Sequence, residues 1–68
     1  MIFRLKTDFI ELHKLLKITG LCATGGEAKQ AIANHLVHVD GSVETRKACK
    51  IRGGQKIDFM DSTIEVTA

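Results

Sequence analysis

The sequence contains no proline, tryptophan or tyrosine, and only two cysteines among its 68 residues. Cys22 and Cys49 cannot build the disulfide framework of a small secreted domain, and they form no CxxC pair. No apolar run approaches the roughly 18 residues that a membrane helix needs. The first residues also lack the apolar core of a signal peptide. These absences predict a cytoplasmic protein that does not contact a membrane.

The short length also limits the chemistry that the chain can perform. Apolar residues make up 44% of it and charged residues of both signs 26%, which is typical of a folded protein, so we expect one domain over residues 1–68. A chain of this size buries only about 60% of its unfolded surface, which leaves little room for a deep catalytic pocket. The three histidines and two cysteines show no metal-ligand spacing, and nothing orients Cys49 as a nucleophile. We expect a monomer that is not an enzyme and carries no cofactor or metal.

Helical spacing dominates the first part of the chain. Asp8 and Glu11 fit a capping box, and apolar residues then recur at helical spacing as far as Ile18. Gly20 follows in the position of a left-handed helix stop. The pattern predicts a first helix that begins near Asp8 and ends before Gly20.

A second capping box, Thr24 to Glu27, predicts the start of another helix. The helix is too short to be stable alone, so packing must hold it. Its inward stripe is narrow and is expected to consist of small or aliphatic residues: Ala28, Ala31, Ile32 and Leu36. The two segments together predict a compact helix–turn–helix pair.

From Val37 to Val43 the apolar period changes to two, and Asp40-Gly41 marks the turn of a hairpin. A two-residue loop would pair Val39 with Ser42. A three-residue loop would pair Val39 with Val43 and keep both valines inward, so the pattern favours it. That register places three polar side chains together on the exposed face: His38, Glu44 and Arg46.

A second hairpin follows the chain break at Gly53-Gly54. Residues Lys56–Phe59 and Ser62–Val66 alternate between apolar and polar around a turn at Met60-Asp61. The predicted fold is therefore α+β, with two packed N-terminal helices against a small, mostly antiparallel β-sheet.

The most informative charge pattern is local. Within residues 45–52 four of eight residues are basic and none is acidic, although the formal net charge of the chain is only +2. Such a run, carried on a surface with few aromatics, indicates contact with a polyanion through phosphates and shape rather than base stacking. Glycines at the start of the second helix would also expose backbone amides to a phosphate.

The order of these elements resembles a known family. A helix that ends at Gly20 and a second helix that carries Glu27–Ile32 are followed by the Val37–Val43 hairpin and by Gly54–Ile57. This set is similar to the RNA-binding domain first described in ribosomal protein S-four, with its αL motif. Within that family, Gly25–Lys29 and Val43–Lys47 resemble the stand-alone YbcJ-like subfamily. The resemblance is strongest over residues 9–59.

The resemblance implies binding to structured RNA of a ribosomal or tRNA-like kind, and an association with ribosomal particles. The charge run, the helix start and the exposed hairpin face together give the candidate RNA-binding residues. These are Gly25, Gly26, Lys29, Gln30, His38, Thr45, Arg46, Lys47, Lys50 and Arg52.

The chain differs from the family pattern at three places. Lys29 stands where an arginine is usual, so bidentate phosphate geometry is lost. Asp40-Gly41 replaces the usual Asn-Gly turn and brings a negative charge towards the expected RNA-binding edge. His35-Leu36 replaces the glycine that commonly precedes the first strand of the hairpin.

Two alternatives to RNA binding remain at this stage. The basic run could instead meet an acidic protein partner, for example as an adaptor in ribosome assembly. DNA binding by the helix pair ranks last, because Lys29 is the only basic residue of the second helix.

Overall fold

The computed structural model of the chain describes every residue from Met1 to Ala68. Along the sequence its elements are β1 (Ile2–Arg4), β2 (Ile10–Glu11), α1 (Leu12–Ile18), α2 (Gly25–Ala33), β3 (Val37–Val39), β4 (Ser42–Val43), β5 (Lys50–Ile51), β6 (Lys56–Phe59) and β7 (Ser62–Thr67). Five strands form one sheet in the order β1-β7-β6-β3-β4, while β2 and β5 pair separately as an antiparallel ribbon. Neither helix is long and apolar enough to cross a membrane.

The helices pack on one face of the five-stranded sheet, and their apolar sides form the core with it. The fully or almost fully buried residues are Leu12, Leu15, Leu16, Cys22, Ala28, Ala31, Ile32, Val37, Ile51, Ile57, Ile64 and Val66. Burial of these side chains is the main favourable contribution to folding, because each takes apolar surface out of water. Only the β1–β7 pair is parallel. The expected α+β class, with two helices against a mostly antiparallel sheet, is confirmed.

The start of α1 differs from the expectation. Asp8 caps no helix: residues Ile10 and Glu11 form β2, and Glu11 is the N-cap with extended backbone and no side-chain cap. The first amides of α1 are satisfied from another part of the chain instead. Leu12 N–H donates to the carbonyl of Cys49 at 2.9 Å, and His13 N–H donates to the carbonyl of Lys47 at 3.1 Å. The capping-box prediction failed because tertiary pairing supplied these partners.

The capping box of α2 is confirmed. Glu27 N–H donates to Thr24 Oγ1 at 3.1 Å, and the Glu27 carboxylate accepts from the backbone N–H of Ala23 at 2.9 Å. The reciprocal bond therefore goes to the residue before the N-cap. Both bonds tie the helix start to the preceding connection.

The end of α2 corrects one predicted core residue. Ala28, Ala31 and Ile32 are buried as expected, but Leu36 is 47% exposed. The helix stops at Ala33, and His35 takes a left-handed conformation with φ of 63°. His35 N–H donates to the Ile32 carbonyl and Leu36 N–H to the Ala31 carbonyl, which is a Schellman motif. The chain turns away at His35, so helical spacing no longer carries Leu36 inward.

The first hairpin also differs from the favoured register. Asp40 and Gly41 form a two-residue loop with φ values of 51° and 86°, so Val39 pairs with Ser42 and His38 with Val43. Positive φ at both loop positions is the geometry of a type I′ turn, whose twist matches that of the strands. Val43 is consequently 48% exposed. The three-residue loop was the wrong prediction, because turn geometry outweighed the burial of one valine.

The prediction that His38, Glu44 and Arg46 lie together on one exposed face is also wrong in part. Glu44 and Arg46 do lie together, as an ion pair. His38 instead lies between Val43 and Asp58 on the neighbouring strands. The closing hairpin is confirmed, with Phe59 paired to Ser62 around Met60-Asp61.

Candidate nucleic-acid interface

The basic loop, defined as residues 45–52, runs from the end of β4 through β5. Its basic residues were expected on a strand and the loop after it. The structure places residues 44–49 in irregular backbone and only Lys50 and Ile51 in β5. Two of the loop's carbonyls accept the first amides of α1, and Lys50 pairs with Glu11 of β2. The irregular backbone is therefore fixed against the start of α1.

Phe9 holds two of the loop's cations. Lys50 Nζ lies 4.9 Å from the centre of the Phe9 ring, and Arg52 Cζ lies 5.6 Å from it. Both distances are within the range of a cation–π interaction. This role of Phe9 was not predicted from the sequence, in which Phe9 is simply an apolar residue next to Ile10. No local signal marks it, because the contact depends on the β2–β5 pairing.

Arg46 is neutralised by a residue just outside the loop. Its Nε and Nη2 atoms donate to the two carboxylate oxygens of Glu44 at 2.9 and 3.0 Å, and its backbone N–H donates at 3.0 Å. The Arg46 side chain, through its hydrogen bonds, and the Arg46 backbone lower the pKa of Glu44 to about 2. The same pair raises the pKa of Arg46 above its ordinary value. The loop therefore offers three uncompensated cations: Lys47, Lys50 and Arg52.

Asp40 has a structural role beside the basic loop. Its carboxylate accepts hydrogen bonds from Lys56 N–H at 3.0 Å and from Gln55 Nε2 at 3.1 Å. Gln55 Oε1 in turn accepts from Arg52 N–H at 2.8 Å. The chain of contacts ties the end of the basic loop to the turn of the first hairpin. The carboxylate expected near the RNA-binding edge is thus engaged with the protein itself.

The start of α2 leaves backbone donors free. The N–H groups of Gly25 and Gly26 donate to no group of the protein. A Cβ on Gly25 would meet nothing within 4 Å, and one on Gly26 would meet only Thr24 Oγ1 at 3.8 Å. Neither glycine has positive φ. The interior of the protein therefore does not require glycine at either position.

Lys29 of α2 lies near Glu11 at the start of α1. The pKa of Glu11 is lowered first by its hydrogen bond with Lys14 and, more weakly, by the charge of Lys29. Glu11 is also the strand partner of Lys50. Cations of α1 and α2 thus lie near one carboxylate whose strand pairs with the basic loop. Gln30 and Thr45 are exposed nearby in sequence, on α2 and in the loop.

His38 lies apart from these residues. On β3 it alternates with Val37 and Val39, whose strand partners Phe59 and Ile57 share the helix-covered side. His38 therefore points to the opposite face of the sheet. The structure brings together the start of α1, Lys29 and the basic loop, but it does not bring His38 to them.

The cysteine thiols are poor nucleophiles in this setting. Burial raises the pKa of Cys22, with a further contribution from the charge of Glu27. Burial also raises the pKa of Cys49, with Glu44 adding to it. A raised pKa keeps a thiol protonated at neutral pH. No group of three or more His, Cys, Asp or Glu side chains is placed to hold a metal ion.

Comparison with known proteins gives a consistent result. The family model described as S4 domain matches residues 3–67. The chain is 48% identical over 63 residues to YbcJ of Escherichia coli (strain K12), which is named as a candidate RNA-binding protein, covering 93% of this chain and 90% of that one. YbcJ of Shigella flexneri, whose name states no function, matches with the same identity and coverage.

A solved structure agrees with the fold. The solution structure of E. coli YbcJ superposes with a TM-score of 0.76 at 47% identity, and covers 98% of this chain and 86% of that one. That structure is described as revealing an αL motif involved in RNA binding. The family match also extends beyond residues 9–59 and includes most of β1 and all of β7.

Proposed function

The chain belongs to the S4 domain family, and we propose that it is a non-enzymatic module that binds structured RNA. The RNA would be a ribosomal or tRNA-like stem, recognised by its phosphates and shape. The whole chain, residues 1–68, would act as one domain and as a monomer in the cytoplasm, in association with ribosomal particles.

The observation that carries this proposal is the fixed placement of cations in the basic loop. Lys50 and Arg52 lie on the Phe9 ring, and the loop backbone is bonded to the first turn of α1. Cations held in place lose less side-chain entropy when they meet phosphates than free surface lysines do. A shallow depression of about 460 Å³ lined by Arg46, Ala48, Cys49 and Lys50 gives the loop a concave surface.

The aromatic residues support recognition of phosphates rather than stacked bases. The ring of Phe9 is already contacted by two side chains of the protein, and Phe3 and Phe59 are half-buried against the core. No exposed aromatic platform is left for single-stranded bases. A duplex offers phosphates across a shallow minor groove, and such a target needs only positive groups on a rigid surface.

The start of α2 would extend the same surface. The unpaired amides of Gly25 and Gly26 lie at the positive end of a nine-residue helix and are free to meet a phosphate. Lys29 and Gln30 are exposed one turn further along. Thr45 would contribute from the loop. His38 would contact only an RNA that also reaches the opposite face of the sheet.

The test is binding of the full chain to a purified, protein-free RNA stem-loop at several salt concentrations. We expect three to five phosphate contacts. A plot of the logarithm of the association constant against the logarithm of the salt concentration should then have a slope of roughly −3 to −5, if the duplex-DNA coefficient applies. Charge reversal at Lys47 and Lys50 should weaken binding strongly. Lys56→Glu, an exposed charge reversal on β6, is the control that should change it little.

A salt-independent affinity would exclude the electrostatic mechanism. If the chain does not bind naked RNA, and the reversals at Lys47 and Lys50 change only capture of an acidic protein, then the alternative role as a protein–protein adaptor is the correct one.

A further inference from the structure

An apolar groove lies beside the basic loop and has no role in the proposed RNA contact. It has a volume of about 340 Å³ and is lined by five apolar side chains: Phe3, Leu5, Phe9, Ile10 and Ile18. Four of these residues are half-buried, whereas Ile18, the last residue of α1, is 65% exposed. Because all five line one depression, they form a contiguous apolar patch, which is the kind of surface that binds a partner.

The groove continues along α1. Ile10 and Ile18 also line a second depression of about 360 Å³, whose other two residues are Lys14 and Lys17. The two depressions together form an apolar strip beside α1. Its residues on α1 run from Lys14 to Ile18, which is about 6 Å or one helical turn along the axis.

Every charged residue that lines the two depressions is basic: Arg4, Lys6, Lys14 and Lys17. Glu11 lines only a neighbouring depression, and its carboxylate is paired with Lys14 at 3.0 Å. Arg4 and Lys6 line the first depression, and Lys14 and Lys17 line the second. The charge complement of this surface is an apolar stripe with acidic residues beside it.

We propose that the apolar groove binds an acidic amphipathic segment of a partner protein. Apolar residues one and two helical turns apart would enter the strip, and carboxylates beside them would meet the lysines and Arg4. The groove suits a protein better than an inserted nucleobase. Its single uncharged polar side chain, Thr7, donates its hydroxyl proton to the Phe9 carbonyl at 2.7 Å, so that hydroxyl can only accept a hydrogen bond from a base edge.

This surface goes beyond the proposed RNA contact and adjoins it at Phe9 and at a depression that Ile10 and Lys14 share with Lys50. Phe9 lines the groove and also contacts Lys50 and Arg52. The protein would then bind RNA by one surface and a protein segment by another, which makes it a bridge between the two.

The probe is a synthetic twelve-residue peptide with leucines at positions i, i+4 and i+7, glutamates at the positions beside that stripe and alanines elsewhere to favour a helix. It is titrated into the full chain labelled with ¹⁵N, and a peptide with lysine in place of every glutamate is the control. The expected result is a shift of amide resonances confined to residues 3–7, 9, 10 and 14–18 with the acidic peptide, and no shift with the basic one. Shifts confined to residues 45–52, or none at millimolar peptide, would overturn the proposal.

Two variants sharpen the test. Ile18→Glu adds an exposed negative charge to the groove and should weaken peptide binding at least tenfold while leaving the affinity for an RNA stem-loop nearly unchanged. Met60→Glu changes a residue that is 79% exposed and lies outside the groove, and it should leave peptide binding unchanged. Equal losses in both variants would overturn the proposal. So would an RNA titration that shifts the resonances of Leu5 and Ile18, because the groove would then belong to the RNA.

Discussion

Arg46 and Glu44 form a two-pronged ion pair, with Nε–Oε2 at 2.9 Å and Nη2–Oε1 at 3.0 Å. The backbone N–H of Arg46 adds a third bond to the same carboxylate. The pair lies at the beginning of the basic loop. Arg46, the first cation of the basic run, therefore makes a structural contact within the protein. It removes one of the four charges that the sequence offers to a polyanion.

The first prediction concerns the acidity of Glu44. Its pKa of about 2 lies below its ordinary value of 4.5 because Arg46 bonds its charged form. A depressed pKa gives stability that is fully present above about pH 4.5 and is lost as the pH falls towards 2. Arg46→Gln should return the Glu44 pKa towards 4.5, measured by NMR titration of the carboxyl carbon. In urea unfolding, the loss of stability of Arg46→Gln relative to the unchanged chain should become smaller as the pH approaches 2. A loss that becomes larger in acid would contradict the proposal that Arg46 lowers the pKa of Glu44.

The second prediction concerns the charge that this pair neutralises. Glu44→Gln should free the Arg46 guanidinium and strengthen binding to an RNA stem-loop at low salt by a few-fold, with a steeper dependence on salt. Glu65→Gln makes the same change of charge on the exposed side of β7 and is the control. Weaker binding in Glu44→Gln would mean that the ion pair is needed to shape the loop.

The third prediction concerns Phe9. Phe9→Leu keeps an apolar residue but removes the ring under Lys50 and Arg52, and each cation–π contact at an exposed site is worth about 0.5–1 kcal/mol. RNA affinity measured by fluorescence anisotropy should fall several-fold because the two cations lose their fixed positions. Phe59→Leu removes another half-buried ring, away from the loop. If both variants lose RNA affinity equally, the effect is one of general stability.

The fourth prediction concerns the glycines that begin α2. The protein has room for a Cβ at both positions, so Gly25→Ala and Gly26→Ala should fold and gain up to about 1 kcal/mol of stability from helix propensity. If a phosphate approaches their amides, the added methyl groups should nevertheless weaken RNA binding. Circular dichroism melting and an RNA titration of the same samples separate the two effects. If both variants bind RNA as tightly as the unchanged chain, the start of α2 is not part of the RNA interface.

The fifth prediction concerns His35, which takes the left-handed conformation that glycine adopts at little cost. A non-glycine residue in this conformation destabilises the folded state by about 1–2 kcal/mol. Glycine removes that cost, but it also makes the unfolded chain more flexible, which offsets part of the gain. His35→Gly should therefore stabilise the fold by about 1 kcal/mol, or roughly 4–8 °C in Tm for a domain of this size. Asn34→Gly, one residue earlier at φ of −86°, should bring no gain. A lower Tm for His35→Gly would show that its imidazole makes a stabilising contact.

Local patterns were reliable where neighbours along the chain supply the whole interaction. Thr24 and Glu27 cap α2 because the groups that bond them lie within four residues. The closing hairpin follows from strict alternation on both sides of Met60-Asp61. The four basic side chains of the run at 45–52 are exposed, as their charge requires. The resemblance to the S-four-type domain, carried by the order of these local elements, agrees with the family match.

Predictions failed where a distant part of the chain supplied the partner. Asp8 has the sequence of a cap, yet the carbonyls of Lys47 and Cys49 reach the first amides of α1 instead. The parallel β1 strand is three residues long, has no turn signal and exists only because β7 lies beside it. The register of the first hairpin failed for a local reason instead: the type I′ turn at Asp40-Gly41 suits the strand twist and pairs Val39 with Ser42, whereas apolar alternation favoured another register.

Some properties of the basic loop follow from the sequence, and others follow from the tertiary structure. Its charge and exposure were decided by the sequence alone, because a run of four cations without an acid within it cannot be buried. The tertiary structure decided which of those cations remain free. The fold brings Glu44 to Arg46 and places Phe9 under Lys50 and Arg52, through the loop's geometry and through strand pairing between residues about forty positions apart. The Phe9 contacts depend on where the chain returns in space, and no periodicity in the sequence encodes that.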